Sequence, residues 1–387
     1  MRDVVIVGAD MTPFGKHLDR SVGALGAEAV LGALKDAGAE RSQIDAVYSG
    51  NVTGGMLVGQ RAVRDLGLGG IPVVNIENAC SSSAAALREA YVAVGSGLHN
   101  TVVVLGVEKL TALGGGPLPL DDADHEVANG QMMPAIYAMR ARRYLSEYGL
   151  SPTDLAAVAV KARRHGARNP YAYLRTETTV DDVLASRPIA TPLTLFQCCP
   201  SGDGAAALVV TAAERAPTFE APAVRIRASV LHSGEFRTGF RDMTSPDITV
   251  HSAQEAYEQA GIGPDDIDVI ELHDAFTIAE LLYYEALGLA ERGRAAALLH
   301  SGATTFGGST VVNPSGGLLA KGHPIGATGA AQAVEIVWQL RDQAEQRQVD
   351  GARLGLIHAT GGGLSGVDHG ACAVHILEAP RKQVARG

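Results

Sequence analysis

The 387 residues predict an α/β protein built from two similar halves rich in βαβ units. Three observations predict it. β-Branched, strand-like segments alternate with segments of helical spacing along most of the chain. Ala37-Gly38, Ile44-Asp45 and Val47 recur as Ala260-Gly261, Ile267-Asp268 and Ile270 at an offset of 223 residues. Asp203 to Val210 resembles His369 to Ile376, so each half finishes on a strand of the same kind. Two copies of one unit imply two similar sheets packed through shared helices, and a chain of this length exceeds one ordinary core.

The first strand, Val4 to Val7, runs into Thr12-Pro13-Phe14-Gly15. A helix follows from Val22 to Ala37, with Leu25, Ala29, Leu31 and Leu34 near helical spacing and Gly38 to end it. Ile44 to Tyr48 reads as a strand, and Gly50 to Gly59 as a glycine-rich loop. The run from Ile71 to Ile76 leads to Cys80, after which small residues pass into a helix through Leu87, Ala90, Tyr91 and Val94. Thr101 to Gly106 reads as a strand buried on both faces.

From Thr111 to Arg187 the alternation lapses. This stretch holds a Gly/Pro loop (Gly114 to Pro119), an acidic run (Asp121, Asp122, Asp124, Glu126), and helices at Met133 to Tyr148 and Pro152 to Arg168, with Ser151 as the cap of the second. The repeat makes it an insertion in the first copy. The expected organisation is therefore residues 1–110 with 188–215 as the first half, 111–187 as an inserted loop domain, and 216–387 as the second half.

Composition narrows the function classes. With 46% hydrophobic residues, 19% charged residues and 46 glycines, the chain has the make-up of a soluble globular protein with many tight turns. A net charge of −10 argues against nucleic acid and against an anionic membrane surface as partners. Cys80, Cys198, Cys199 and Cys372 show no metal-ligand spacing and no disulfide framework, so no metal and a cytoplasmic location are expected. Neither a signal peptide nor a membrane span is read in the sequence.

Four side chains carry the candidate chemistry. Cys80 stands at a helix N-terminus, where free N–H groups and the helix dipole favour a thiolate. His273, in Glu271-Leu272-His273-Asp274-Ala275-Phe276, sits just beyond a strand end, where catalytic groups of α/β sheets collect. His323 lies in a glycine-rich bend leading into a helix, with Pro324 as a tolerated first helical residue. His358 ends a buried strand that opens into Gly361-Gly362-Gly363, whose N–H groups are free to meet a ligand oxygen. Cys372 corresponds to Ala206 in the repeat and reads as packing.

Several stretches together resemble the thiolase superfamily from about Val4 to Leu377, nearest to archaeal acetoacetyl-CoA thiolases and sterol-carrier-type thiolases. They are Ile6-Val7-Gly8, Thr12 to Gly15, Asn78-Ala79-Cys80-Ser81-Ser82, Cys198-Cys199-Pro200-Ser201-Gly202-Asp203-Gly204, His273-Asp274-Ala275-Phe276, and Asn313 to Gly329 with its Gly322-His323-Pro324. The resemblance implies the thiolase fold, with the halves layered α-β-α-β-α. It also implies an acyl-CoA C-acyltransferase of lipid metabolism that needs no permanently bound cofactor and uses coenzyme A and its thioesters as substrates. Cys80 would be the nucleophile that takes the acyl group, and His323 its activator, lowering the thiol pKa. His273 stands where common thiolases have an asparagine that orients an oxyanion-hole water. The N–H groups of Cys80 and Gly361 would form the second oxyanion hole.

One departure matters. The resemblance calls for a second cysteine at Ala359 or, in sterol-carrier-type relatives, at Ala275. Neither Cys198, Cys199 nor Cys372 matches it. Either His358 or His273 acts as the base, or the carbon–carbon bond breaks without one. A retro-aldolase or decarboxylative condensing enzyme on the same scaffold is the alternative reaction, and a non-catalytic lipid-binding or scaffolding subunit a third reading. Basic residues from Arg140 to Arg168 read either as a solvated helix face or as a patch for the phosphates of coenzyme A. The resemblance further implies a homodimer and a small zinc-ribbon and OB-fold companion subunit.

Overall fold

The computed structural model describes residues 1–114, 118, 125–235, 239, 241–363 and 369–380. Most of the expected Gly/Pro loop, Asp121, Asp122 and Asp124 lie outside the described residues. The first half runs β1 (Val4–Met11), α1 (Val22–Ala37), β2 (Ala46–Gly50), α2 (Val58–Val63), β3 (Val73–Ile76), α3 (Ser82–Ser96) and β4 (Thr101–Lys109). Helices α4 (His125–Ala128), α5 (Met133–Tyr148), α6 (Pro152–Ala167) and α7 (Val180–Ala185) come next, with a small hairpin of β5 (Pro188–Ala190) and β6 (Leu193–Thr194). Strand β7 (Asp203–Ala212) closes the first half. The second half runs β8 (Val224–Ser233), α8 (Asp247–Ala260), β9 (Val269–Glu271), α9 (Thr277–Ala286), α10 (Ala295–His300) and β10 (Val311–Val312). It ends with α11 (Gly317–Lys321), α12 (Thr328–Leu340), β11 (Leu354–Gly361) and β12 (Ala371–Glu378).

The strand order mirrors about its centre: β3-β2-β4-β7-β1 on one side, β10-β9-β11-β12-β8 on the other. In each half three strands are parallel, and the closing strand, β7 or β12, runs antiparallel to its neighbours. The two five-stranded halves join edge to edge into one ten-stranded sheet through a ladder of two residue pairs, Val5 with Arg225 and Ile6 with Val224. The repeat read from the sequence holds to the residue. Helices α1 and α8 end at Ala37 and Ala260, β2 and β9 begin at Ala46 and Val269, and both helices stop at a left-handed glycine, Gly38 (φ +62°) and Gly261 (φ +67°).

Helices α3 and α12 fill the space between the sheets. All thirteen residues of α12 are buried, as expected of a helix apolar on nearly every side. Its polar residues find partners inside: Glu335 pairs with Arg347 at 2.9 Å, Gln339 donates to the Arg347 carbonyl at 2.8 Å, and Gln332 donates to the His358 carbonyl at 3.2 Å. With α1 and α2 outside one sheet and α8 and α9 outside the other, the order of layers is α-β-α-β-α. Cys372 is fully buried within β12, with its sulfur 3.9 Å from Thr249 Oγ1.

The starts of α3 and α12 cross at backbone contact. A Cβ added to Gly329 would lie 2.6 Å from the Ala84 nitrogen, and the Ser83 hydroxyl accepts a hydrogen bond from the Ala330 N–H at 2.9 Å. Replacing Gly329 by Val is expected to destabilise the fold by about 1–3 kcal/mol. Gly69→Ala, where nothing lies within 4 Å, serves as the neutral control. Urea unfolding midpoints of the two variants check this; equal midpoints would show that the crossing yields without penalty.

Candidate active site

Cys80 is presented by a strained turn. Ala79 adopts φ +47°, a left-handed conformation that an alanine resists by about 1–2 kcal/mol, and so swings the chain sharply from β3 towards α3. The turn is locked by its own bonds. Ser82 Oγ accepts from the Asn78 N–H (2.9 Å) and donates to the Ala79 carbonyl (2.6 Å), while the Ser81 N–H reaches the Asn78 carbonyl (3.0 Å). Cys80 immediately precedes Ser81, the cap of α3, and its side chain is half-buried.

His273 is held by the end of β9 and the loop running from Asn313 to His323. Asn313 Oδ1 accepts from the Leu272 N–H (2.8 Å), and Asp274 Oδ1 from the Leu318 N–H (2.7 Å). Glu271, fully buried, accepts from Ser315 (N–H at 3.0 Å, hydroxyl at 2.7 Å) and pairs with Lys321 at 3.4 Å. His323 was expected at the head of a helix starting with Pro324. It sits instead in the turn between α11 and α12, because the Pro324 carbonyl is used to cap that turn, accepting from Ala327 N–H (2.8 Å) and Thr328 Oγ1 (3.1 Å).

That second bond bears on the His323 tautomer. A Thr328 hydroxyl that gives its proton to Pro324 accepts from His323 Nδ1, 2.8 Å away. In that arrangement Nδ1 carries the ring proton, and Nε2 keeps its lone pair. The Cys80 sulfur and one ring nitrogen from each of His273 and His323 lie within 4.8 Å of one another, with the imidazoles edge to face at 5.0 Å between centroids. This trio is also the one group among the described residues whose donor atoms could share a metal ion.

Electrostatics here departs from the sequence expectation. The helix start and His323 were expected to lower the Cys80 pKa, but burial pushes the thiol up to about 12, with the negative charges of Glu108 and Glu77 adding to the shift. The Gly362 N–H, donating to the sulfur, opposes this only in part. Burial also holds His323 at about 3 and drives His273 well below the ordinary histidine value. Burial thus favours a neutral thiol beside neutral imidazoles.

The remaining expected residues fall nearby. Gly361 packs against the Cys80 turn, where a Cβ would lie 2.0 Å from the Asn78 carbonyl oxygen, while the amide that reaches the sulfur belongs to Gly362. His358 stands outside the trio, fully buried, with Nε2 3.0 Å from Thr249 Oγ1 and its ring edge-on to Tyr283 at 4.4 Å. Sequence reasoning missed several residues of this neighbourhood. Tyr137 stacks on Phe276 (4.4 Å) and meets His369 Nε2 through its hydroxyl (2.9 Å), and Tyr283 approaches Thr360 Oγ1 (3.2 Å). Cys199 is near enough to Cys80 for their charges to act on each other. The basic stretch is dispersed: Lys161 is buried against Glu280 (2.6 Å) and Arg163 lies over the Phe196 ring, while Arg143 pairs at the surface with Glu147.

Comparison with known proteins shows the family. Residues 4–214 match the thiolase N-terminal domain family, and residues 231–376 the thiolase C-terminal domain-like family. The chain is 44% identical to the benzoylsuccinyl-CoA thiolase subunit BbsB of Thauera aromatica, over 94% of this chain and 95% of that one. It is 41% identical to an acetyl-CoA acetyltransferase of Methanothermobacter thermautotrophicus, over 97% of this chain and 100% of that one. A solved structure described as the Ltp2-ChsH2(DUF35) aldolase superposes with a TM-score of 0.86 at 30% identity, covering 98% of both chains.

A thiol raised to about 12 reacts only through its small thiolate fraction. Alkylation of Cys80 by iodoacetamide, followed by peptide mass, is expected to accelerate about tenfold per pH unit between roughly pH 7 and 10. A rate already level at neutral pH would reveal a preformed thiolate–imidazolium pair.

Proposed function

The chain belongs to the thiolase family, and from that premise we propose that it is an acyl-CoA C-acyltransferase whose acyl group passes through Cys80. The observation that carries the reading is the convergence of the Cys80 sulfur with His273 and His323. In the cleavage direction the Cys80 sulfur attacks the 3-oxo carbon of a 3-oxoacyl-CoA while His323 Nε2 takes the thiol proton. Donation from Thr328 is not required for this, since the Thr328 oxygen accepts from Nδ1 and steadies the imidazolium that forms. The oxyanion is met by backbone N–H groups at Cys80 and in the glycine turn, each worth on the order of 3 kcal/mol. The bond between C2 and C3 then breaks, the acyl group remains on Cys80, and coenzyme A removes it. Condensation is the same path reversed.

His273, whose Nδ1 has no hydrogen-bond partner although the ring is only 3% exposed, is assigned to the thioester oxygen. The segment 111–187 is assigned as the inserted domain that walls the acyl site, since it supplies Tyr137. A homodimer is proposed through β3, an edge strand whose middle residues are exposed and whose backbone is available for pairing. A companion subunit is proposed because BbsB is named as a subunit and the aldolase structure carries a DUF35 partner in its description. No helix among the described residues is long and apolar enough to cross a membrane, which fits the proposed cytoplasmic setting.

An aldol cleavage is the second reading, favoured by alanine at both 275 and 359 and by the likeness to the aldolase. Product analysis separates them, because an aldolase releases an aldehyde or ketone and consumes no coenzyme A. For the thiolase reading, Cys80→Ala is expected to abolish the acyl adduct seen by intact mass after exposure to an acyl-CoA. It should also lower turnover by about three orders of magnitude or more. Undiminished turnover in that variant would remove Cys80 from the mechanism.

A further inference from the structure

Breaking the bond between C2 and C3 leaves an electron pair on C2 of the fragment still joined to coenzyme A, and that carbon must receive a proton. In the reverse direction the same carbon must lose one. His323 is committed elsewhere: Nδ1 holds its proton against Thr328, and Nε2 serves the Cys80 sulfur. His358 keeps Nε2 on Thr249 Oγ1 at 3.0 Å and packs its ring edge-on against Tyr283. Neither position 275 nor 359 offers an acidic side chain.

The geometry points to Cys199 as the residue that gives this proton and takes it back, an inference that rests on the thiolase reading above. Its backbone N–H donates to the Ala275 carbonyl at 2.9 Å, beside a bridge between Cys198 and Phe276, which ties it to the segment carrying His273. The next residue, Pro200, accepts the His323 N–H at 3.1 Å, which ties it to the other imidazole as well. Successive side chains of extended backbone point to opposite sides. The Cys198 thiol takes one side, facing the Thr194 carbonyl at 3.4 Å. Cys199 takes the other, where its charge is felt by Tyr137 and where, after the adjacent Cys198, Cys80 and Asp274 act upon it. The residue as a whole is half-buried. Beside it the unpartnered His273 Nδ1 leaves a polar position that a thioester oxygen would fill. Burial holds the Cys199 thiol in its protonated form at rest, which suits a proton donor.

The protons balance over one cycle. In the first half, His323 takes the Cys80 proton, the C2–C3 bond breaks, and Cys199 gives its proton to C2, leaving imidazolium and the Cys199 thiolate. In the second half the Cys199 thiolate removes the proton of coenzyme A, whose sulfur attacks the acyl group. Cys80 leaves and recovers its proton from His323.

The test uses Cys199→Ala and Cys199→Ser with acetyl-CoA as the probe, measuring both acetylation of Cys80 by intact mass and uptake of deuterium at C2 from D2O. Acetylation of Cys80 expels coenzyme A as a thiolate, a leaving group that departs with little help from the Cys199 proton, whereas C2 cannot exchange without a base; both variants are therefore expected to acetylate Cys80 within about tenfold of the wild-type rate while losing at least about 100-fold in deuterium uptake. Deuterium uptake within threefold of wild type, or a parallel fall of both rates as for a merely structural residue, overturns the assignment. So does a wild-type protein that is acetylated yet exchanges no deuterium. A wild-type protein that takes no acetyl group on Cys80 is a different failure, that of the thiolase reading itself.

Discussion

Backbone contact between the starts of α3 and α12 sets the geometry on which the site depends. Cys80 stands just ahead of α3 and His323 just ahead of α12, and each belongs to a different copy of the repeat. Where Gly329 meets Ala84 the two helices come close, and the Cys80 sulfur and a His323 ring nitrogen lie within 4.8 Å of each other. The run of serines and alanines after Cys80 is explained by the same need. Small side chains let the helices approach, and the Ser83 hydroxyl binds one of the N–H groups that the start of α12 leaves open.

Around that crossing the protein places charges where few proteins keep them. Glu271 with Lys321, Glu280 with Lys161, and Glu335 with Arg347 are pairs withdrawn almost wholly from solvent. Such pairs seldom add much net stability, but removing one partner leaves a buried charge and is severe. Their placement gives them a positioning role. Glu271 and Lys321 bracket the loop between His273 and His323, and Lys161 also binds the Val312 carbonyl at 3.1 Å, just before that loop begins. The loop is thereby held from both ends.

Much of this was legible in the sequence because it is written locally. The repeat shows through helix-ending glycines and the apolar pattern that follows them, features any single copy must contain. Cys80, His273 and His323 sit beside strand ends and glycine bends, which mark them before any tertiary contact is known. What was not legible depends on neighbours far along the chain. The Cys80 pKa was read from its own helix start, yet desolvation by distant segments outweighs that local field and reverses the direction. Tyr137 meets His369 across 232 residues, and Cys199 is brought to Ala275 by backbone pairing between stretches far apart in the chain, neighbours that neither stretch announces. Lys161 looked like part of a surface patch because its helix is basic, and only packing reveals that it points inward.

The seam between the sheets, two residue pairs between β1 and β8, has a bearing on how such a molecule can diverge. With so little ladder shared, the halves are held in register by the helices sandwiched between them, as mortar holds two courses of brick. Mutational drift on the outward-facing helices leaves that mortar untouched, whereas drift in the middle disturbs both copies at once. A lineage carrying this architecture is therefore free to remodel its outer surfaces for new acyl groups or new associates, while its innermost helices stay nearly fixed.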